Sequence, residues 1–350
     1  MISKKRILVA PLNWGLGHAT RSIPIIKALI EQGFEPLIAS DGVALSLLKK
    51  EFPNLEAIEL PSYNITYPKK GKFFKLNLLK GSPKMLKAIK SEKKALKSII
   101  ETYRIDGVIS DNRLGIYSKK VPSVFITHQL QVLSGNTTWL STKLHQKIIK
   151  RFDECWVPDL PGEPNLSGTL GHIEIHEIPT KYIGPLSRFN KMDVKIKYDV
   201  IVLLSGPEPQ RSMLEFKLLK EFEGCRGTVL FVKGTVEDEQ IRTEKDGMAI
   251  YNFMTSELLE KALNESKLIV SRSGYTTIMD LAKLNKKAFF IPTPGQFEQE
   301  YLAKRLTEQG IVPSCHQDNF TLESLNNIEQ YTGLNAFDQE VNFKTLFGLF

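Results

Sequence analysis

The sequence has few cysteines and no long apolar run. Its three cysteines, Cys155, Cys225 and Cys315, lie far apart and form no CxxC pair, which argues against a disulfide framework and against a structural zinc site. No stretch reaches the roughly 18 apolar residues that a membrane-spanning helix needs. The apolar run at residues 7–10 is too short for the core of a signal peptide. We therefore expect a cytoplasmic protein.

Acidic residues are nearly missing from the segment between Lys69 and Lys97. Eleven lysines accompany a single acid, Glu92, so this segment carries more positive charge than the whole chain, whose net charge is +8. Phenylalanines and leucines lie between the lysines. This mixture favours peripheral contact with an anionic membrane, because lysines attract the headgroups and apolar side chains insert shallowly. A solvated helix with its apolar face in the core is the alternative. No nucleic-acid-binding motif accompanies the lysines, so nucleic acid is not an expected partner.

Strand-like and helix-like segments alternate twice along the chain, with a polar linker at residues 183–193 between the two series. Short apolar strands separated by helices are typical of a parallel sheet covered on both faces. The sequence therefore predicts an α/β protein with two Rossmann-like domains that face each other across a cleft. We place the domains at residues 1–186 and 187–330, followed by a C-terminal segment, 331–350, whose aromatic residues suggest a return to the first domain.

The predicted strands are residues 6–11, 35–39, 55–60, 107–110, 123–127, 154–157, 176–179, 199–204, 228–232, 249–252, 267–270 and 287–291. The predicted helices include residues 22–32, 42–50, 212–221, 255–263 and 297–309.

Candidate catalytic residues follow three strands of the first domain. Gly15 and Gly17 allow close backbone approach to a ligand and present His18 at the mouth of a helix. A neutral His18 imidazole is suited to take a proton from a hydroxyl, with Asp111 hydrogen-bonded to the other ring nitrogen. The alternatives are a capping or packed histidine and ordinary turn chemistry for the aspartate. The remaining candidates for substrate binding on this rim are Asn112, His128 and Gln129; for His128, orienting an acceptor and capping a helix remain equally open.

The same glycine loop permits a second interpretation. The spacing Gly15-x-Gly17-x-x-Thr20 is close to a dinucleotide-binding fingerprint, and Asp41 ends the second strand where a ribose-binding acid of an NAD enzyme is expected. The third glycine of that fingerprint is replaced by Thr20. This interpretation also assigns no function to the second domain.

A nucleotide site is predicted at SRSGYTTIMD, residues 271–280, in the second domain. An apolar strand, a Ser-Gly turn and a helix start leave backbone N–H groups that bind an anion. Asp280, further along the helix, is placed to accept hydrogen bonds from a ribose diol. An ordinary capped helix is the alternative. The turn residues proposed to contact the ligand are Ser273, Gly274, Tyr275 and Thr276.

Other strand ends of the second domain supply further candidates. Ser205 and Gly206 follow one strand and are suited to wrap a diphosphate. Phe253 and Met254 follow another and suit a planar base, with packing in the core as the alternative. Amide and acid side chains for reading sugar hydroxyls are Gln296, Gln299 and Glu300. No carboxylate cluster of the DxD kind follows a strand, so neither a metal nor another cofactor is inferred.

Three motifs together resemble a known family. They are GLGHATR at residues 15–21, SRSGYTTIMD at 271–280 and PTPGQFEQE at 292–300. Their order and separation are similar to those of the GT-B glycosyltransferases of the MurG type, glycosyltransferase family 28. The resemblance implies inverting transfer of a hexose or N-acetylhexosamine from a UDP-sugar to a hydroxyl of a membrane-associated, glycolipid-like acceptor, without a required metal.

The resemblance also implies roles for individual residues. Asp280 matches the ribose-binding acid, and Ser273 with Gly274 matches the diphosphate turn. Phe253 and Met254 fall at the uracil pocket, and Gln299 and Glu300 where the donor sugar is held; Arg188 lies just beyond the linker. His18 matches the histidine of the first loop and is similar, with Asp111, to the His–Asp pair of related GT-B enzymes. A membrane acceptor agrees with the lysine-rich segment and implies a place at the inner face of the plasma membrane. The alternatives are an enzyme like UDP-N-acetylglucosamine 2-epimerase and a non-catalytic nucleotide-sugar-binding subunit.

Overall fold

The structure is a computed structural model that describes residues 4–63, 74–173, 179–235, 237, 239–337 and 339–350, with only the backbone for 74–84. The chain forms two compact units and passes from the first to the second between Leu186 and Ser187. The first unit also includes Gln339–Phe350. The predicted C-terminal segment 331–350 is therefore divided, because its first residues belong to the second unit.

Parallel strands form the sheet of the first unit. They are β1 (Arg6–Pro11), β2 (Glu35–Ser40), β3 (Ala57–Glu59), β4 (Gly107–Asp111), β5 (Ser123–Ile126), β6 (Glu154–Val157) and β7 (Thr180–Tyr182). They lie in the order β3-β2-β1-β4-β5-β6-β7, and each neighbouring pair is parallel. Residues of β1, β4 and β5 are buried almost from end to end, as expected for strands covered by helices on both faces.

Helices of the first unit are α1 (Gly17–Glu31), α2 (Gly42–Glu51), α3 (Phe74–Tyr103) and α4 (Thr138–Ile149), with the short α9 (Phe343–Leu346) near the C-terminus. Helix α1 begins five residues before the predicted start at residue 22. Its buried residues Ala19, Ile23 and Ile26 are spaced i, i+4 and i+7, so one apolar stripe continues to the first turn. His18 therefore lies within the helix.

The sheet of the second unit contains β8 (Tyr198–Leu203), β9 (Val229–Val232), β10 (Arg242–Lys245), β11 (Met248–Tyr251), β12 (Ser266–Ser271) and β13 (Lys287–Phe290). Their order is β10-β11-β9-β8-β12-β13, and only β10 is antiparallel to its neighbour. The helices that accompany them are α5 (Gln210–Glu221), α6 (Ser256–Asn264), α7 (Tyr275–Lys283) and α8 (Phe297–Glu308).

Two predictions about strands were incomplete. Strand β10 was not predicted, because its four residues are charged or polar and all exposed. It forms as a hairpin around Asp246 and Gly247, whose φ angles of 50° and 78° suit a tight hairpin turn. The predicted strand at 176–179 falls almost entirely outside the described residues, and the neighbouring strand is β7.

The C-terminal residues pack on the first unit. Phe347 and Phe350 are buried, and both rings lie 6.4 Å from the ring of Trp156. The carbonyl of Phe350 also accepts a hydrogen bond from the Lys5 amine. These contacts attach the C-terminal residues to the first unit, whose sheet contains β1.

Helix α3 contains most of the lysine-rich segment. Over its described side chains, Lys87, Lys90, Lys93, Lys94 and Lys97 are all exposed. The lysines from Lys69 to Lys84 lie outside the described side chains. Across the described parts of the chain, no helix is both long and apolar enough to cross a bilayer.

Candidate active site

The predicted pair of His18 and Asp111 is present in the first unit. Strands β1 and β4 are neighbours, and Asp111 is the last residue of β4, opposite Pro11 at the end of β1. Helix α1 follows β1 after a short loop, so its first turn lies at the same edge of the sheet. The Nδ1 atom of His18 is 2.8 Å from Oδ1 of Asp111. The sheet therefore holds an imidazole and a carboxylate in hydrogen-bonding contact.

A third residue, Arg21, completes this cluster and was not among the predicted site residues. Its Nε donates to Oδ2 of Asp111 at 2.6 Å, and its Nη2 donates to Oδ1 of the same carboxylate. Its Nη1 contacts Nδ1 of His128 at 3.1 Å. Arg21 is three residues from His18 on one helix, and this spacing places both side chains on the same face. The sequence thus contained the signal within GLGHATR.

The cluster sets the charges of its members. Burial lowers the pKa of His18; Asp111 opposes this effect and the positive charge of Arg21 adds to it. Burial disfavours the ionised form of Asp111, but Arg21 and His18 outweigh it and lower the pKa of Asp111 to about 2. His18 is therefore neutral near pH 7 and faces an ionised carboxylate. A neutral imidazole is the state that a general base requires.

Asn112 occupies a strained position beside the pair. Its φ is 60°, in the left-handed region that residues other than glycine seldom adopt. Within the described structure its buried Oδ1 has no hydrogen-bond partner. Strain and an unsatisfied buried acceptor often occur together at functional sites. Asn112 is thus an unsatisfied acceptor directly beside the His18–Asp111 pair.

The other rim residues of the first unit are more ordinary. Gly15 has a φ of +72°, is exposed, and a Cβ at its position would meet nothing within 4 Å. Gly17 is the first residue of α1. Gln129 is half-buried, and its backbone N–H donates to Oγ1 of Thr127 at 3.0 Å. Gly15 therefore leaves open space just before the start of α1.

Asp41, the candidate ribose-binding acid of the dinucleotide interpretation, has charged and polar partners within the protein instead. It forms an ion pair with the fully buried Arg113 and accepts a hydrogen bond from Nδ2 of Asn13 at 3.1 Å. Arg113 also pairs with Glu92 at 2.7 Å. Glu92, the only acid in the lysine-rich segment, is fully buried as well. Asp41 is therefore part of a structural charge cluster, which argues against a ribose contact.

In the second unit, the predicted anion turn joins β12 to α7. Helix α7 begins at Tyr275 with Gly274 as its N-cap, and a glycine offers no side chain to cap the helix. Ser273 is fully buried and its Oγ donates to the backbone carbonyl of Gln299 at 2.8 Å. Tyr275 is buried too, whereas Thr276 is half-buried. An anion here would bind mainly through backbone N–H groups rather than through the hydroxyls of Ser273 and Tyr275.

The start of α8 is fastened to the same turn. Oε1 of Gln299 accepts from the backbone N–H of Thr293 at 2.8 Å, and Oε1 of Glu300 accepts from that of Gly295 at 2.8 Å. Gln296 is the N-cap of α8 and provides no side-chain cap. The Ser273–Gln299 bond therefore brings two helix N-termini together, and both favour negative charge.

Asp280 is linked to residues of the linker. Its Oδ1 accepts from Oγ of Ser187 at 2.7 Å, while Nη1 of Arg188 donates to Oγ of Ser256 at 2.8 Å. Burial raises the pKa of Asp280 to about 6, although Arg188 and the Ser187 hydroxyl favour the charged form. Its ionisation therefore changes within the range in which enzymes are usually assayed.

Four further candidates line other strand ends of the second unit. Ser205 and Gly206 are exposed after β8, and Gly206 has a φ of +107°. Phe253 and Met254 are half-buried between β11 and α6, and neither belongs to the apolar core of this sheet. That partial exposure is what a base-binding surface needs.

Arg272 was also not predicted, although it lies within the SRSGY motif. It is 1% exposed and donates to the carbonyls of Ile291, Pro292 and Gln210 and to Oε1 of Gln317. Burial lowers its pKa to about 10. Arg272 thus fastens the loops around the α7 turn through neutral acceptors instead of a carboxylate.

No metal centre is built from the residues that the structure describes: they contain no group of three or more His, Cys, Asp or Glu side chains placed to hold an ion.

Comparisons with known proteins agree with this arrangement. Residues 218–336 match the sequence model of the glycosyltransferase family 28 C-terminal domain. The chain is 23% identical over 344 residues to the UDP-N-acetylglucosamine–N-acetylmuramyl-(pentapeptide) pyrophosphoryl-undecaprenol N-acetylglucosamine transferase of Haemophilus ducreyi, covering 93% of this chain and 89% of the relative.

Solved glycosyltransferases share the fold. SnogD from Streptomyces nogalater superposes with a TM-score of 0.63 at 12% identity, covering 99% of this chain and 100% of SnogD. MurG from Acinetobacter baumannii superposes with a TM-score of 0.54 at 16% identity, covering 94% of this chain and 93% of MurG. The predicted α/β GT-B architecture is confirmed, and the chain is a glycosyltransferase similar to those of the MurG type in family 28.

Proposed function

We propose that the protein is an inverting glycosyltransferase that moves a hexose or N-acetylhexosamine from a UDP-sugar to a hydroxyl of a membrane-associated, glycolipid-like acceptor. The observation that carries the proposal is the His18–Asp111 pair at the carboxyl edge of the first sheet, with the aspartate buried and the neutral histidine partly exposed. A nucleotide-binding or structural subunit has no need for a neutral imidazole held against an ionised carboxylate.

In the proposed reaction the acceptor oxygen attacks the anomeric carbon of the donor sugar. The bond from that carbon to the diphosphate oxygen breaks, UDP leaves with the electron pair, and the hydroxyl proton passes to Nε2 of His18. Asp111 stabilises the imidazolium that forms. Attack opposite the leaving group inverts the anomeric centre.

The second unit is proposed to bind the donor. Backbone N–H groups at the start of α7 hold the diphosphate, and the adjacent N-terminus of α8 adds to the positive potential that stabilises the leaving group. Asp280 accepts from the ribose diol. Phe253 and Met254 contact the uracil, Gln296, Gln299 and Glu300 read the sugar, and Arg188, Ser205 and Gly206 complete the donor site.

The test is turnover of UDP-N-acetylglucosamine and UDP-hexoses with and without lipid-linked acceptors, followed by release of UDP and by the anomeric configuration of the product. Acceptor-dependent UDP release with inversion supports the proposal. Isomerised sugar nucleotide without an acceptor indicates an epimerase instead. Binding without turnover over the whole acceptor panel indicates a nucleotide-sugar-binding subunit.

A membrane-facing surface is the second part of the proposal, with the protein placed peripherally at the inner face of the plasma membrane. The exposed lysines of α3 support it. Helix α4 adds an exposed face on which Trp139, Leu140 and Leu144 are 68%, 51% and 57% accessible. Lys143 and Lys147 are exposed on the same helix, and Lys150 is exposed directly after its end. Trp and Lys together are typical of helices that lie at a bilayer surface.

Vesicle sedimentation tests this surface. We expect binding to phosphatidylglycerol vesicles that weakens with salt, since exposed charges are screened over about 8 Å at physiological ionic strength. Trp139→Ala should weaken binding. Phe216→Ala, which removes an aromatic ring 77% exposed on α5, is the matched control and should have no effect. Equal binding to purely phosphatidylcholine vesicles contradicts the proposal.

A further inference from the structure

The first unit contains two histidines around one arginine. Arg21 is 2% exposed, and its guanidinium contacts Asp111, His18 and His128. A guanidinium carries five N–H donors, accepts no hydrogen bonds and keeps its charge. An atom that faces the guanidinium must therefore accept a hydrogen bond from it. The exception is an atom that carries a proton and donates it to another group.

This rule determines the state of His128. Its Nδ1 lies 3.1 Å from Nη1 of Arg21. Since Nη1 only donates, Nδ1 must present its lone pair, and the proton of a neutral ring is then on Nε2.

His18 is in the opposite situation. Its Nδ1 is 2.8 Å from Oδ1 of Asp111 and 2.9 Å from Nη2 of Arg21. The Nε–H and one Nη2–H of Arg21 point in parallel at the two oxygens of Asp111, and Nη2 also lies within hydrogen-bonding distance of Nδ1 of His18, so Asp111 and Arg21 compete for that nitrogen. A carboxylate oxygen accepts more than one hydrogen bond and belongs to an ionised group, which makes it the stronger partner for an imidazole N–H. Nδ1 of His18 therefore keeps its proton, and Nε2 has the lone pair.

We propose that Arg21 is a positioning residue that holds the two histidines in opposite tautomers, with the ring proton of His18 on Nδ1 and that of His128 on Nε2. His18 then offers a basic Nε2, whereas His128 offers a donor N–H at Nε2 and does not act as a second base there. Arg21 also keeps Asp111 ionised in its buried position. This tautomer assignment does not depend on the reaction, whereas its effect on rate rests on the proposed function.

Among the residues that the structure describes, the charged or titratable groups that act on His18 are Asp111 from β4, Arg21 from the same helix and His128 after β5. His145 on α4 is coupled electrostatically to His128, and burial lowers the pKa of His145 to about 4, so it stays neutral. Removing the charge of Arg21 therefore leaves Asp111 as the main charge that acts on His18, against the effect of burial. The pKa of His18 should rise, because the positive charge of Arg21 lowers it in the native protein.

The direct test is long-range ¹⁵N NMR of histidine-labelled full-length protein, with signals assigned through His18→Gln and His128→Gln. We expect a protonated Nδ1 for His18 and a protonated Nε2 for His128. In Arg21→Gln the signals of His128 should move towards a mixture of tautomers, and the titration of His18 should move to higher pH. Arg21→Lys keeps the charge but lacks the planar fork that reaches Asp111 and His128 at once, so His128 should change while the titration of His18 stays closer to that of the native protein.

The kinetic counterpart is the pH profile of kcat/KM. In Arg21→Gln the acidic limb should move to higher pH, and activity near pH 7 should fall by about 10- to 100-fold. Lys27→Gln removes a charge from an exposed position of the same helix and is the matched control, with an unchanged profile expected.

Three results overturn the inference: a protonated Nδ1 on His128 in the native protein, Arg21→Gln with both histidines unchanged, or a uniform loss of rate without a shift of the limb. Circular dichroism establishes that each variant folds. If Arg21→Gln does not fold, the His128 signal of Arg21→Lys decides the question. An absence of any transferase activity leaves the NMR assignment intact and counts only against the proposed function.

Discussion

The carboxyl ends of the two sheets use different chemistry. In the first unit, ionisable side chains contact one another: His18, Arg21, Asp111 and His128 form one cluster, in which His18 is half-buried and the other three are buried. In the second unit, the corresponding side chains mainly form hydrogen bonds with backbone groups. Ser273 donates to a carbonyl, whereas Gln299 and Glu300 accept from backbone N–H groups. The first arrangement is suited to moving a proton, and the second to presenting fixed backbone dipoles to an anion. Substitutions in the first unit should therefore change turnover, and those in the second should change donor affinity.

The largest effect should come from His18→Ala. Loss of a general base typically costs two to four orders of magnitude in rate, so we expect kcat to fall by about 100-fold or more. Donor affinity should stay near normal, because His18 does not belong to the unit proposed to bind the donor. Steady-state kinetics and a direct donor-binding titration measure the two quantities. His316→Ala, at an exposed position of the second unit, is the control. Unchanged turnover would remove His18 from the mechanism.

A second large effect is expected on the free energy of unfolding, from a substitution in the first unit. Arg113→Met leaves the carboxylates of Asp41 and Glu92 buried without their cation. Breaking a buried pair in this way costs about 3–5 kcal/mol in the free energy of unfolding. Urea denaturation followed by circular dichroism measures the loss. Lys120→Met removes a partner of the exposed Lys120–Glu101 pair and should cost less than about 1 kcal/mol. Similar losses in both variants contradict the structural role of Arg113.

A moderate effect should appear as a pH dependence of donor affinity in the second unit. The pKa of Asp280 is raised to about 6, so its carboxylate gains a proton as the pH falls through that value. If the charged form accepts from the ribose diol, affinity for UDP-N-acetylglucosamine should fall by about tenfold from pH 7 to pH 5. The donor's phosphates are bridged on both sides and lack the second ionisation of a phosphomonoester, which lies near pH 6.

Calorimetric titrations at several pH values test this dependence. In Asp280→Asn the dependence should disappear. Native affinity that is equal at pH 5 and pH 7 means that Asp280 does not bind the ribose in its charged form.

The smallest effect is expected for Ser273→Ala. It removes the 2.8 Å bond that joins the α7 turn to Gln299 at the start of α8. One such bond contributes about 1 kcal/mol, so donor affinity should weaken by roughly fivefold while kcat changes little. Ser46→Ala removes a comparable hydroxyl-to-carbonyl bond from α2 of the first unit and serves as the control. A larger loss of kcat than of affinity would reverse the contrast between the units.

Much of the fold could be predicted because its signals are local. Short apolar runs such as residues 7–10 predicted strands, and apolar residues at 3.6-residue spacing predicted helices. The Gly-rich loop and the Ser-Gly turn lay next to those strands, so the position of His18 and of the α7 turn could be predicted as well. One helix start and one strand were missed for specific reasons. The first turn of α1 begins in a glycine-rich motif that indicates a loop, and β10 has no apolar residue to mark it.

The sequence by itself determined the alternation of strands and helices, the glycines at 15 and 17 and the candidate base, since each depends on neighbouring residues. Only the tertiary structure decided which charges meet. Arg21 contacts an aspartate 90 positions away, and Arg113 joins two acids from different elements. The reason is that a charge is buried only where a partner compensates for its lost hydration, and that partner is chosen by the packing of the sheet rather than by proximity along the chain.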